Sequence, residues 1–179
     1  MSDVFLGAGK ATGMFFRAPK GTALPNTPGA SLGADWEMVA DVGEDGLSLK
    51  LPSGDVIRNW AMVAKRRVNT ENGVLTVPVL DTTKKSLEVL FGDDNVAYQA
   101  ATSQHGNVTS VEFGVDATAE PAAYLFLMKD GDTLAYVGCS DALITEISDV
   151  PFKATEPAMW TAQIDGAWTF MIDDGDVTS

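Results

Sequence analysis

Short apolar runs alternate with turn-forming residues from Trp36 onward, at the spacing typical of β-strands in a sandwich or barrel. Asparagine or aspartate followed by glycine favours the tight turns of two-residue hairpins. Three such dipeptides separate pairs of strand-like runs: Asn72-Gly73, Asp130-Gly131 and Asp165-Gly166. The pattern predicts a mainly β fold, a sandwich or barrel with three hairpins, ending near Ile172.

The three predicted hairpins differ in their faces. Pairing Glu71 with Val74 across the first turn gives one apolar and one polar face, whereas the other two hairpins are apolar on both faces. A strand pair that is apolar on both faces needs cover on both sides. For the last hairpin two explanations stay open, a central position in the sandwich or burial against a second subunit.

One helix interrupts the predicted strands, over residues 83–91. Apolar residues recur there at helical spacing, at Leu87, Leu90 and Phe91. Asp81 or Thr83 can cap its start, and Gly92 suits its end. Residues 1–34 are rich in glycine and proline and have only short apolar patches. We therefore expect an extended N-terminal arm over residues 1–34 and one β domain over residues 35–179.

Charge is distributed unevenly along the 179 residues. Residues 1–90 hold ten basic and ten acidic side chains, whereas residues 91–179 hold two basic and fifteen acidic ones, which gives the net charge of −13. This balance argues against a protein that neutralises nucleic-acid phosphates. The acids either form a solvated surface, meet basic faces of other copies, or repel something anionic. Lys84 and Lys85 oppose the dipole of the predicted helix, which indicates that they face acids elsewhere.

Candidate catalytic groups are few. One cysteine and one histidine, Cys139 and His105, exclude a disulfide framework within the chain and most metal sites. We expect Cys139 to be a buried small side chain and His105 to lie in a polar loop, rather than to form a nucleophilic pair. Residues 7–13 lack the spacing of a phosphate-binding loop, and the acidic clusters lack that of a calcium loop. We expect no enzyme activity, cofactor or metal.

The N-terminus carries an acidic residue, Asp3, where a secretory signal would be basic, and its apolar run stops after three residues. The longest apolar run, residues 122–128, is far shorter than the roughly 20 residues of a membrane helix. The expectation is a soluble protein made in a cytoplasm.

The order of several motifs resembles the major tail protein, or tail tube protein, of long non-contractile-tailed bacteriophages. Residues 15–25 (FFRAPKGTALP) are similar to the family's strand followed by AP.GT.LP, and residues 36–47 (WEMVADVGEDGL) to its W..LG.VSEDG segment. Further matches to the family pattern are Ile57, Trp60, Arg67 and Val68, then residues 80–82 (LDT) with Leu87, Phe91 and Gly92.

This resemblance implies a structural virion protein that forms hexameric rings, stacked into a tube through which the genome is ejected. It implies a tail-tube type of β-sandwich or barrel, and assembly of the virion tail in the cytoplasm of the bacterial host. The implied partners are other copies of the chain, a tape measure protein, and tail terminator and distal tail proteins. Phage DNA would pass through the lumen without specific binding.

The resemblance also suggests site residues. The glycine- and proline-rich arm and the loop 43–60 would connect rings. Met14 to Leu24 and the same loop are expected to be ordered mainly by neighbouring subunits. Residues expected at contacts between subunits are Phe15, Phe16, Arg17, Glu44, Asp45, Lys65, Arg66, Arg67, Lys84 and Lys85. Residues expected to anchor the packing are Trp36, Trp60, Leu87 and Phe91. Two other classes stay open, a soluble β-sandwich module for binding or adhesion and a hydrolase on a β scaffold.

Overall fold

The computed structural model describes residues 14–42, 46–51, 56–58, 64–66, 72–80, 82–113, 120–130, 132–148 and 159–173, with the backbone alone at 56–58 and 64–66. The first half contains β1 (Met14–Pro19), β2 (Glu37–Asp41), β3 (Ser48–Lys50), β4 (Val56–Arg58), β5 (Ala64–Arg66) and β6 (Gly73–Val79). The second half contains α1 (Lys84–Phe91), a 3₁₀ turn (Asp93–Asn95), β7 (Val96–Gln99), β8 (Val108–Val111), β9 (Ala122–Asp130), β10 (Thr133–Ile147), β11 (Trp160–Gly166) and β12 (Thr169–Asp173).

Eight of these strands form one antiparallel sheet. Its order is β2-β1-β9-β10-β11-β6-β3, and β12 pairs with β10. Val42, which follows β2, forms a bridge with Val79 of β6, and the Leu80 N–H donates to the Asp41 carbonyl at 3.4 Å. The sheet therefore curls until the residue after β2 reaches β6, around a core that includes Phe126, Leu75 and Ile164. The predicted mainly β fold with one short helix is confirmed.

The first strand, β1, lies inside this sheet. It pairs with β2 on one edge and with β9 on the other. Phe15 is 1% exposed and stacks on Phe126 with ring centroids 4.6 Å apart. The prediction of a separate arm over residues 1–34 is therefore wrong for residues 14–34, because two apolar side chains, Phe15 and Ala18, are enough to bury a strand that has a partner on each edge. Residues 1–13 lie outside the described residues.

The predicted hairpin at residues 130–131 is confirmed. Asp130 pairs with Thr133, so β9 and β10 share the faces that the sequence predicts. The outer face, with Leu125 and Tyr136, is covered by the segment that follows β1: the Tyr136 hydroxyl donates to the Pro25 carbonyl at 2.8 Å, and the Gly21 N–H donates to the Ser140 carbonyl at 2.7 Å. The glycine- and proline-rich segment thus supplies the second cover that this hairpin needs.

The predicted hairpin at Asp165-Gly166 is wrong. Both β11 and β12 run antiparallel to β10, β11 along residues 142–147 and β12 along residues 134–138, so the chain continues in one direction past Gly166. A Cβ placed on Gly166 would lie 2.8 Å from both Cys139 Sγ and Ala142 Cβ. This glycine allows two strands to approach closely and does not form a turn.

The hairpin predicted at Asn72-Gly73 is also wrong. β6 pairs with β11 on one edge and with β3 on the other, so Val74 lies opposite Asp165 and Lys50 instead of Glu71. Three alternate residues of β6, Leu75, Val77 and Val79, are fully buried. A strand with such a buried face takes a central position in the sheet. Both edges of β6 are occupied, which leaves neither for the basic residues that precede it in the sequence.

Helix α1 is confirmed. The Ser86 N–H donates to Thr83 Oγ1 at 3.3 Å, which makes Thr83 the N-cap. Gly92 ends the helix with a positive φ of 86°. Leu87 and Leu90 are buried on the core side. No helix in the described ranges is long and apolar enough to cross a membrane.

Candidate assembly surfaces

The residues expected at subunit contacts do not form one surface. Phe15 belongs to the core of its own chain, so the expectation that its side chain meets a neighbour is wrong. Phe16 and Arg17 are partly buried, and Arg17 Nη1 lies 3.9 Å from Asp93 Oδ1. Glu44, Asp45 and Arg67 lie outside the described residues, and for Lys65 and Arg66 only the backbone is described.

Lys84 and Lys85 both pair with acids of the same chain. Lys84 Nζ lies 2.9 Å from Glu88 Oε1, one helical turn away, and Lys85 Nζ lies 2.6 Å from Glu37 Oε2 on β2. The hydrogen bond from Lys85 lowers the pKa of Glu37, and the hydrogen bond to Glu88 raises the pKa of Lys84. Their opposition to the helix dipole is offset within the subunit, and their pairing with a neighbouring copy stays a prediction.

Two of the expected anchors, Leu87 and Phe91, belong to α1. Leu87 is buried and Trp36 is partly buried, whereas Trp60 is outside the described residues. Phe91 packs edge-on against two rings, Trp160 at 5.0 Å and Phe113 at 5.3 Å between centroids. Sequence reasoning did not find this aromatic cluster, because its members come from three parts of the chain that are far apart and no periodic signal connects them.

The two candidate nucleophilic residues are in different settings. Cys139 is 2% exposed, its thiol donates to the Asp141 carbonyl at 3.2 Å, and burial raises its pKa. The thiol is therefore held in its unreactive neutral form. His105 is exposed in the loop between β7 and β8. Across the described part of the chain, no three His, Cys, Asp or Glu side chains form a group that could hold a metal ion.

Two pairs of large apolar side chains are exposed at the limits of the main sheet. The first, which we name the β12 strip, consists of Phe170 and Ile172, at 55% and 47% exposure. The second, which we name the β3 strip, consists of Leu49 and Leu51, at 37% and 51% exposure. The sequence alternation of leucine at 47, 49 and 51 was the available signal for β3.

The surface of the second half is strongly acidic. Lys129 is the one basic side chain among the described residues after position 91. The acidic side chains described in the same part of the chain are Asp93, Asp94, Glu112, Glu120, Asp130, Asp132, Asp141, Glu146, Asp165 and Asp173. Salt bridges connect two of these acids to the first half, Asp93 to Arg17 and Asp141 to Lys20.

Comparison with known proteins identifies the family. A family model described as phage tail tube protein matches residues 8–159. No curated protein matches the chain. The family match includes the main sheet as far as β10, helix α1 and both two-stranded sheets. Because it spans well over half of the 179 residues, the chain belongs to the phage tail tube protein family.

Proposed function

We propose that this structural tail tube protein assembles into hexameric rings that stack into a hollow tube, and that the tube is an acidic conduit for genome ejection into the host. Family membership supports self-assembly into a tube in the virion tail. The observation that carries the conduit proposal is the acidic surface of the second half, with Lys129 as its one described base.

The physical argument concerns the phosphates of the passing DNA. Each lysine or arginine that contacts a phosphate releases counterions and adds affinity, so a basic wall would hold the genome in place. A wall dominated by carboxylates repels the phosphates and keeps DNA mobile. The net charge of −13 per copy is multiplied in every ring, which strengthens this effect.

Further partners follow from the position of such a tube between other tail components. We propose contacts with a tape measure protein in the lumen and with tail terminator and distal tail proteins at the two ends. Ring assembly and stacking would take place in the cytoplasm of the bacterial host. None of these contacts requires a cofactor or a catalytic group.

Assembly is tested by size-exclusion chromatography and negative-stain electron microscopy of the purified chain. The proposal expects rings or tubes with six-fold symmetry in end views. A protein that stays monomeric at every concentration, with or without a nucleating tail tip, would contradict it. A different rotational symmetry would refute the hexamer but would not contradict the proposal of a tube.

The conduit is tested by replacing exposed acids one at a time with lysine, beginning with Glu112, Glu120 and Glu146. A lumen position is expected to keep intact tubes but slow genome ejection, because the new cation contacts phosphate. Glutamine at the same position is the matched control, since it removes the acid without adding a cation. Lysine variants that all eject DNA at the normal rate would contradict the repulsive conduit.

A further inference from the structure

The β12 strip is the continuation of a buried face. Phe126, Val137 and Phe170 lie opposite one another on β9, β10 and β12, and their exposures rise from 0% through 7% to 55%. The neighbouring row runs from Ala135, at 0%, to Ile172, at 47%. The core face of the sheet therefore continues onto β12, where the chain's own side chains no longer cover it.

The β3 strip has the same character, on the last strand of the strand order. Leu49 lies opposite Leu75, which is fully buried, and yet Leu49 is 37% exposed. Leu51, two residues along, is 51% exposed. Among the described strands β3 pairs with β6 alone, so this part of the core face also ends at an edge.

The two strips differ in the charges beside them. The β12 strip is followed by Asp173, and the tip of the β9–β10 hairpin adds Asp130 and Asp132. The β3 strip carries an exposed lysine, Lys50, between its two leucines. By strand alternation, Asp173 and Lys50 lie on the opposite strand face from the apolar residues beside them. These charges therefore belong to the two strand edges and not to the apolar strips themselves.

We infer that the β12 strip of one copy docks on the β3 strip of the next copy. The inference rests on the proposed function, because it takes self-assembly as given and assigns the surfaces that perform it. Contact between two β12 strips or between two β3 strips would be symmetric, which closes a dimer and does not continue into a ring or tube. The complementary arrangement is heterologous and repeats from copy to copy, as rings and tubes require.

Cross-linking between two different single variants tests the contact directly. Ile172→Cys and Leu51→Cys proteins are purified separately, mixed, assembled and treated with a mild oxidant. Only a contact between copies can join position 172 to position 51 in this mixture. We expect a disulfide-linked dimer that contains one copy of each variant, whereas Ile172→Cys mixed with Phe113→Cys, another exposed apolar position, is the control that gives none.

Assembly provides the second readout. Phe170→Ser and Leu51→Ser are each expected to raise the concentration needed for tube formation at least about tenfold, because each removes apolar area that is buried between copies. Val108→Ser is the matched control, since Val108 is 41% exposed but lies outside both strips. Thermal unfolding of each monomer shows whether the variants still fold.

The outcomes separate this inference from the proposed function. Tubes that form normally from folded Phe170→Ser and Leu51→Ser proteins, with no product joining 172 to 51, would overturn the docking inference and leave the tube in place. A product that joins 172 to 172 would also overturn it, in favour of a symmetric contact. Absence of tubes from the unaltered chain would refute the proposed function itself.

Discussion

Two segments of this chain contradict what their composition suggests. Residues 14–33 are rich in glycine and proline, yet they supply a strand inside the sheet and the cover of its outer face. Strand β12 is short and apolar, yet its core-facing residues Phe170 and Ile172 are about half exposed. The segment that resembles a loose arm is integral to the subunit, and the segment that resembles core is on its surface.

The two segments differ in the number of strands that pair with them. β1 has a strand on each edge, so one buried side chain per face, Phe15 on one and Ala18 on the other, is enough to bury it. β12 has β10 as its one partner among the described strands, and nothing described in the chain covers its core-side residues. Burial therefore follows position in the sheet more closely than the density of apolar residues.

The prediction with the largest expected effect compares one phenylalanine from each segment. Phe15→Ala removes a ring that is 1% exposed and should lower the free energy of unfolding by about 3–5 kcal/mol. Phe170→Ala removes a ring that is 55% exposed and should cost the monomer less than about 1 kcal/mol. Urea denaturation of unassembled protein measures both, and equal losses would remove the distinction between the two segments.

The junction between β11 and β12 gives the second prediction. Gly166→Ala places a Cβ against Cys139 Sγ and Ala142 Cβ, which cannot move aside as a flexible chain end would, so we expect a loss of about 1–3 kcal/mol. Gly33→Ala is the control, because a Cβ there meets no atom within 4 Å. An unchanged Tm for Gly166→Ala would show that β11 does not approach β10 so closely at Gly166.

The sequence predicts those features that local signals encode. The helix, its Thr83 cap and the hairpin between β9 and β10 each depend on residues close together in the chain, and all three are as predicted. The other two glycine dipeptides are misleading because Gly73 and Gly166 allow close packing between strands instead of turns. The sequence left open whether a second subunit covers the last strand pair, but the exposure of the β3 and β12 strips was not predictable, since it depends on which distant strand occupies each edge.

The third prediction concerns the cover of the outer face. Tyr136→Phe keeps the buried ring but removes the hydroxyl that donates to the Pro25 carbonyl, and we expect a loss of about 1 kcal/mol. Amide exchange near Pro25 should also become faster. Tyr98→Phe, at a half-exposed position on β7, is the control and should leave both measurements unchanged. No change in Tyr136→Phe would mean that the segment is held by other contacts alone.

The smallest expected effect is a pH dependence in the strand next to β1. Lys85 lowers the pKa of Glu37 below its ordinary value of 4.5, so the folded chain favours the charged carboxylate more than the unfolded chain does. The stability that this pair contributes is therefore present above pH 4.5 and is lost as the pH falls through the lowered value in the folded protein. Both side chains are partly exposed, so the contribution is small and screened by salt.

We expect Lys85→Gln to return the carboxyl titration of Glu37, followed by NMR, towards 4.5, whereas Lys50→Gln on the β3 strip leaves it unchanged. A Glu37 titration that does not respond to Lys85→Gln would show that β2 and α1 are not joined by this pair.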